Sequence, residues 1–394
     1  MESRQNSCIE LIAAFYINSF IILRPLLTKY SYISTYILGI EIGVLVIVYL
    51  VNCKFRLDRS NTIRMFGLVL IVTVLFLIDF IFRRNVFTWQ YYYYFLIYGG
   101  LTAVFFINIK DYGKLLEYWT IFAIISGSLV LLDPFNEYAI SGSYMDFGTA
   151  ILPAFAATVI VYAYYKKKVV LPLLLIFFLE IILYANKGAT FSAIGIILFF
   201  TIYMTEDRKK RIKRVVLILG LSIIFMILFP TILKWLVKLS AYFGVGSYSL
   251  SDVNQILTSG GQLHSYSVRT DIWDNIGTEL KKNLIIGLGI GGFEIKYGNY
   301  AHNFFLDILI THGIFIGFCV FVMIAVFIKN TIKCKYRERF IFSSVILLLW
   351  ILPLMFSFTY WKTNTFWLFL IINIYHSINK DDMGDEYEST NTYV

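Results

Sequence analysis

Two isolated cations and one histidine are the side chains of this 394-residue chain best suited to chemistry in water. Lys187 is the one charge of the short turn Asn186-Lys187-Gly188-Ala189-Thr190. It either snorkels to a headgroup layer or projects a cation into a cleft. Glu180 lies about two turns away along the preceding apolar run and is a candidate partner for it. Arg269 lies in Ser265–Leu280, where Val268, Ile272, Trp273, Ile276 and Leu280 recur at helical spacing. Asp271, Asp274, Asn275 and Glu279 fall on the other side of that helix. With Ser267 as N-cap, Arg269 sits in the first turn, where free N–H groups favour an anion. Its planar donor fork suits phosphate oxygens, and the competing reading is a surface Arg at headgroup level. His302 stands with Asn303 at the start of a long apolar run. It is either an interfacial hydrogen-bonding side chain or a group that takes a proton near neutral pH.

The elements that must position these groups are membrane helices. Charged residues make up 15% of the chain and its mean hydropathy is +0.73. The apolar stretches have bilayer-spanning length, and they are continuous rather than alternating. A backbone in lipid must satisfy its own polar groups, so an all-α bundle is expected. We read about twelve spans: Cys8–Leu27, Ile33–Val51, Met65–Phe82, Tyr91–Asn108, Tyr118–Leu132, Tyr144–Tyr165, Val169–Ala185, Ala189–Met204, Val215–Leu236, His302–Ile328, Phe340–Phe358 and Thr363–Ile378. No cleavage site follows the first run, which is therefore expected to be retained.

With the N-terminus inside, the inner loops carry 20 basic residues and the outer ones 11, five of these in one long loop. That asymmetry assigns both termini to the cytoplasm and residues 237–301 to the other side. It also accounts for the basic balance without nucleic acid. The whole chain, 1–394, then reads as one membrane domain. Residues 379–394 form an acidic cytoplasmic tail of the composition that stays disordered. No internal repeat is visible, which counts against transporters built from inverted halves.

The polar stretch Ser240–Gly298 is the main place for aqueous chemistry. Gly287-Leu288-Gly289-Ile290-Gly291-Gly292 is a literal GxGxxG, but no strand–turn–helix surrounds it, so it is not a dinucleotide fingerprint. Its glycines are expected to let backbone pack closely at the bilayer edge. Glu10, Glu41 and Asp79 are costly in lipid and are expected to face the bundle or an aqueous cavity, and Asp307 lies about a turn and a half beyond His302. His312, beside Gly313 and Gly317, reads as a proton relay or as a hydrogen bond between closely packed helices. Trp89 and Tyr91–Tyr94 read as an aromatic belt. There is no P-loop, HExxH, GxSxG or metal-holding acid pair. The four cysteines, with no CxxC spacing, suggest neither disulfides nor zinc.

Arg269-x-x-x-Trp273, Gly287-x-Gly289-x-Gly291, Ala301-His302-Asn303-x-x-Leu306 and Gly313-x-x-x-Gly317 together resemble the O-antigen polymerase (Wzy) and O-antigen ligase family. The likeness covers roughly residues 186 to 317. Two positions depart from the family pattern: Lys187 stands where Arg is common, and His312 where an acid is common. The resemblance implies a bacterial cytoplasmic-membrane glycosyltransferase acting on polyprenyl-diphosphate-linked oligosaccharide outside the cytoplasm. It implies His302 as general base, with Arg269 and Lys187 holding the diphosphate. Substrate contacts would come from Arg269, Lys187, Asn303, Trp273 and Glu180. No cofactor is implied, and a metal is unnecessary where two cations hold the diphosphate. Membrane lipid, a flippase and a chain-length regulator are the implied partners. Polymerase is the first reading and ligase the second. The rival from another class is a lipid-linked oligosaccharide flippase without enzymatic activity, which would show two related halves.

Overall fold

The computed structural model describes residues 2–29, 34–133, 144–183, 186–204, 207–242 and 264–376. The acidic tail and the middle of the long loop lie outside them. All regular structure among these residues is helical. In chain order the helices are α1 (Glu2–Lys29), α2 (Ser34–Asn52), α3 (Arg59–Arg83), α4 (Val86–Tyr94), α5 (Leu101–Phe106), α6 (Tyr112–Val130), α7 (Tyr144–Ala163) and α8 (Leu171–Leu183). Then follow α9 (Lys187–Tyr203), α10 (Arg208–Tyr242), α11 (His264–Asn283), α12 (Gly292–Tyr297), α13 (Phe304–Ile332), α14 (Arg337–Phe356) and α15 (Asn364–His376). A π-helical turn, Phe95–Gly100, joins α4 to α5.

Three of the expected spans, carried by α3, α13 and α14, are long and apolar enough to cross a membrane. Ser7–Leu23, Tyr36–Asn52, Phe147–Ala163, Lys187–Tyr203 and Asn364–Tyr375 are shorter apolar helices. Large apolar side chains stand exposed along α2 and α3, among them Ile40, Ile47, Phe66, Leu70 and Phe82. A surface of that kind is soluble only in lipid.

The core forms where small residues let helices approach. On α6, a side chain at Gly127 would collide with Ala154 of α7. Ala13 and Ala14 of α1 and Ala154, Ala156 and Ala157 of α7 are fully buried. This is close packing of the kind that holds helices together in lipid, where no hydrophobic force drives their association. Ser192 of α9 donates to the Leu348 carbonyl of α14 at 2.9 Å. Helix starts are fixed by side-chain caps: Asp58 accepts from Asn61 N at 2.7 Å, Asp111 from Lys114 N at 3.0 Å. Each satisfies a first-turn N–H that the helix cannot.

Contacts join the helix ends that alternating spans would bring to one side. Glu10 accepts from the backbone N–H of Lys110 and Asp111 at 3.4 and 3.3 Å. Arg64 donates to the Tyr375 carbonyl, and Tyr164 to Glu338 at 2.5 Å. At the other end Asn186 donates to Thr149 at 3.3 Å and Arg83 to the Gly287 carbonyl at 3.0 Å.

Candidate active site

The glycine cluster and the long helix α13 are built as one object. The backbone of α13 leaves the helical region at Gly313, with φ 74° and ψ −178°. A break frees carbonyls and N–H groups that must find partners. Here the segment before α12 supplies them. Leu288 N donates to Ile310 O at 2.6 Å and Gly289 N to Thr311 O at 2.9 Å, while Ile314 N donates to Leu284 O at 2.8 Å. Residues 284–291 are thus a wedge seated in a broken helix. The expectation that Gly313 serves close helix–helix packing is corrected: its missing side chain admits backbone of the wedge.

The first half of the chain clasps the other side of the wedge. Arg83 Nη2 donates to the carbonyls of Gly287 and Ile286 at 3.0 and 3.3 Å. Asp79 pairs with Arg83 at 3.6 Å and accepts from Ile290 N at 3.2 Å. Asn85 donates to Ile290 O at 2.6 Å, and Tyr91 to Glu294 at 2.7 Å. A side chain at Gly289, where φ is 85°, would strike Arg83 and Asp79. Asp79 therefore faces protein, as its cost in lipid requires.

Helix α11 starts at His264, a turn earlier than a cap at Ser267 would place it. Arg269 consequently lies in the second turn, beyond the free N–H groups that the sequence reading gave it. Ile272 and Ile276 are buried against Phe293, Ala301 and Ile310, so the apolar stripe does face the bundle. Glu279 is also buried, contrary to its assignment to the polar side. Its carboxylate accepts from Lys296 at 2.6 Å, Tyr297 at 2.8 Å and Asn283 at 3.2 Å, tying α11 to α12.

The hydrogen bond from Lys296 holds the Glu279 carboxyl below its ordinary value, against the opposing effect of burial, and Tyr297 adds to it. The same bond raises Lys296. The lowered carboxyl contributes stability above about pH 4.5, lost as pH falls through its folded value; the raised amine contributes below about 10.5, lost as pH rises through its own. We expect Glu279→Gln to melt below the parent at neutral pH. The gap should close on the acid side as the parent's carboxylate protonates. A gap unchanged down to pH 3 would show that the charge of Glu279 does not hold α11 to α12.

The His302 segment is gripped from two sides. Trp273 Nε1 donates to the Ala301 carbonyl at 3.3 Å. His302 follows with φ 50°, in the left-handed region that few residues other than glycine adopt. Asn303 caps α13, accepting from Phe305 N and Leu306 N at 3.1 and 3.2 Å. It also reaches the Met355 carbonyl of α14 at 3.5 Å. His302 thus precedes α13 rather than opening it. The Tyr300 ring stacks on that of His302, centroids 4.1 Å apart and planes at 31°.

Lys187 is the first residue of α9, whose cap Asn186 accepts from Ala189 N at 3.2 Å. Gly188 lies directly on Pro353 of α14, whose backbone a side chain there would strike. The start of α9 and the Asn303 cap therefore both meet the C-terminal end of α14, at Pro353 and Met355. Arg269 lies one helical turn before Trp273 on α11. So Lys187, His302 and Asn303 are brought to one end of the bundle, with Arg269 on the element that holds Ala301. Glu180 lies in α8, and its Oε2 is buried without a hydrogen-bond partner.

Deeper in α13, His312 Nε2 lies 2.8 Å from the Tyr360 hydroxyl, in the 3-10 turn Tyr360–Lys362. This is the interhelical hydrogen bond, one of the two readings of His312. Asp307 is buried and accepts from Thr359 at 3.1 Å. Among the described residues no three His, Cys, Asp or Glu side chains are grouped to hold a metal.

Residues 171–322 match the O-antigen ligase family model. The match runs from α8 into α13 and contains Glu180, Lys187, Arg269, Trp273, His302 and Asn303. The resemblance to the O-antigen polymerase and ligase family is thereby shown over that segment. It supports a membrane enzyme of polysaccharide assembly, of glycosyltransferase type, with a lipid-linked oligosaccharide as substrate. No curated protein and no solved structure matches the chain.

Sequence reasoning missed the wedge, the Asp79–Arg83–Asn85 clasp and Tyr300. The available signal was the alternate spacing of Gly287, Gly289 and Gly291 beside a glycine inside an apolar helix. Such spacing marks backbone approach.

Proposed function

We propose that this chain polymerises oligosaccharide repeat units carried on polyprenyl diphosphate, at the outer face of the bacterial cytoplasmic membrane. The acceptor sugar hydroxyl attacks the anomeric carbon of the donor. His302 takes the hydroxyl proton as the new glycosidic bond forms and the bond to the diphosphate oxygen breaks. Arg269 and Lys187 hold the diphosphate and meet the charge it gains on leaving. Attack from the face opposite the diphosphate inverts the anomeric centre. The energy is carried by the donor itself, so no nucleotide is consumed.

The observation that carries this reading is the double grip on Ala301-His302-Asn303. One side is α11, which bears Arg269 and Trp273; the other is the end of α14, against which α9 starts with Lys187. Lys187 opens the helix that meets the same end of α14 as Asn303, and Arg269 lies one turn from Trp273 on the helix that holds Ala301, which supports a base and two cations serving one diphosphate-leaving transfer.

Ligase is the second reading, favoured by the description of the matching family. It shares the donor chemistry and differs in acceptor. The flippase reading expects two related halves, and the wedge in a broken helix occurs once among the described helices. One assay separates the three. Purified protein is incubated with a lipid-linked repeat unit and no nucleotide. Elongation supports the polymerase, transfer only onto an added second acceptor supports the ligase, and no glycosidic bond under either condition refutes enzymatic activity. In that assay Arg269→Lys should lose about 10-fold or more, because a point charge replaces a fork. Lys187→Arg should keep parental activity; a large loss there would remove Lys187 from diphosphate binding, and parental activity of Arg269→Lys would remove the fork of Arg269 from the mechanism.

The proposal includes about twelve spans, cytoplasmic termini, and a flippase and a chain-length regulator as pathway partners. Thr278 is exposed on α11 and suits a test of orientation. Thr278→Cys should react with an impermeant thiol reagent on intact cells. Reaction only after permeabilisation would invert the topology and remove the reading.

A further inference from the structure

The end of the bundle away from the candidate site carries a surface that the transfer reaction does not use. Helix α9 opens with Lys187 and runs 17 residues, about 26 Å, to Tyr203, where Met204 closes it. Arg337, the first residue of α14, reaches that closing residue, with Nη2 3.5 Å from Met204 Sδ. The same guanidinium stands over the Tyr164 ring at 5.0 Å, just past the end of α7. Three basic segments therefore meet around Arg337. Lys166-Lys167-Lys168 follows Tyr164, Lys333 and Lys335 precede Arg337, and Arg208-Lys209-Lys210-Arg211-Ile212-Lys213-Arg214 opens α10. Twelve cations in these segments stand against three acids, Glu206, Asp207 and Glu338. Two of those acids hold neutral donors: Asp207 accepts from Lys209 N at 2.8 Å and Lys210 N at 3.4 Å, and Glu338 from Tyr164 at 2.5 Å. The excess of positive charge on this surface is large.

The side chains between the cations decide which anion fits. Each segment carries a large aliphatic residue in the open: Val169 is 83% exposed, Ile332 69% and Ile212 55%. On α10 the exposed apolar residues continue past Arg214 into Val216 and Leu217. A free phosphate gains nothing from such residues. A phospholipid presents both chemistries in the same order, a headgroup phosphate and then acyl chains. The length of α10 matches as well. Its 35 residues reach about 52 Å, against a hydrocarbon layer of about 30 Å, so its basic first turns stand at headgroup level while the rest crosses.

We propose that these three segments form a binding surface for anionic phospholipid, whose phosphates sit among the cations at the start of α10 and whose chains lie on Val169, Ile212, Ile332 and the first apolar turn of α10. This goes beyond the transfer reaction and stands without it, since it needs neither His302 nor a donor. Bound lipid would steady α10 against α9, the helix it packs on.

The test uses the purified full-length protein in mixed detergent micelles, with bound lipid read by native mass spectrometry. Phosphatidylglycerol is the anionic probe and phosphatidylcholine the zwitterionic competitor. At equal concentrations the parent should retain phosphatidylglycerol about 10-fold or more over phosphatidylcholine, since each cation near an anionic surface is worth about fivefold. The triple variant Lys209→Gln, Lys210→Gln, Lys213→Gln should bring that ratio within about twofold of unity, and arginine at the same three positions should keep it. The control removes as many cations from another basic turn at the same end, by Lys54→Gln, Arg56→Gln and Arg59→Gln, and should keep most of the preference. Equal loss in the control would show that overall charge alone attracts the lipid, and the site would be rejected. A parent without preference, or a glutamine triple that keeps it, rejects it too. Glycerol phosphate supplies the phosphate without chains. If it displaces phosphatidylglycerol at comparable concentration, the surface reads phosphate alone and the lipid assignment is lost. Where the glutamine triple does not fold, Lys166→Gln, Lys167→Gln, Lys168→Gln on the neighbouring segment decides: it must lower the preference by about threefold or more. None of these readouts requires glycosyl transfer, so an inactive enzyme leaves the proposal testable.

Discussion

His302→Asn stops elongation while the protein accumulates and melts as the parent does. The expected loss is about 10²- to 10⁴-fold, the usual worth of a positioned general base. Asparagine is the informative replacement because of the backbone. His302 has φ 50°, and asparagine adopts that region readily whereas alanine is strained there. Alanine would therefore mix a stability loss into the activity loss, and the two roles open to this histidine could not be told apart. An interfacial hydrogen-bonding histidine predicts the opposite pattern: a lower melting temperature with polymer length unchanged. Polymer of parental length and yield from His302→Asn would sink the base assignment. Arg269 and Lys187 would then be the remaining catalytic candidates, and the acceptor proton would leave by another route.

The helical class and the amphipathic helix at Arg269 were legible in the sequence because they rest on periodicity. Ile272 and Ile276 recur at helical spacing, and burial follows from that alone. The wedge was not legible. The apolar run of α13 continues through Gly313 without interruption, and hydropathy carries no information on φ. Nor does local pattern reveal that Arg83 donates to carbonyls 203 and 204 residues away. Glu279 shows the limit in another way. An acid on the polar face of an amphipathic helix is ordinarily solvated, and only the later arrival of Lys296 and Tyr297 makes its burial affordable. Tyr300 was hidden because an aromatic residue before a span reads as part of an interfacial belt, whatever it stacks on.

The largest structural effect is expected from Gly313→Ala. At φ 74° and ψ −178° this residue occupies a region open essentially to glycine alone. A side chain there would also collide with the Ile285 carbonyl of the wedge. Alanine leaves the chain two courses. It can keep the break, with a strain of about 1–3 kcal/mol and a steric clash besides. Or it can straighten α13 and expel the wedge, leaving Leu288 N, Gly289 N and Leu284 O without the partners they now have. Each buried group so orphaned costs about 1–3 kcal/mol, and more in lipid than in water. Either course also loosens Arg83, Asp79 and Asn85 from the backbone they clasp, so the damage spreads to α3 and α4. The control is Gly317→Ala, four residues on in the same helix, where the added carbon meets the flexible end of Leu309 instead of backbone. Gly313→Ala should lower the melting temperature well below that of Gly317→Ala and make a cysteine placed at the buried Ile290 newly reactive. Activity should fall as well, because the wedge leads through α12 to Tyr300 and His302. If Gly313→Ala melts with the parent and keeps position 290 shielded, the break is not held by this glycine, and the account of how the site is supported fails with it.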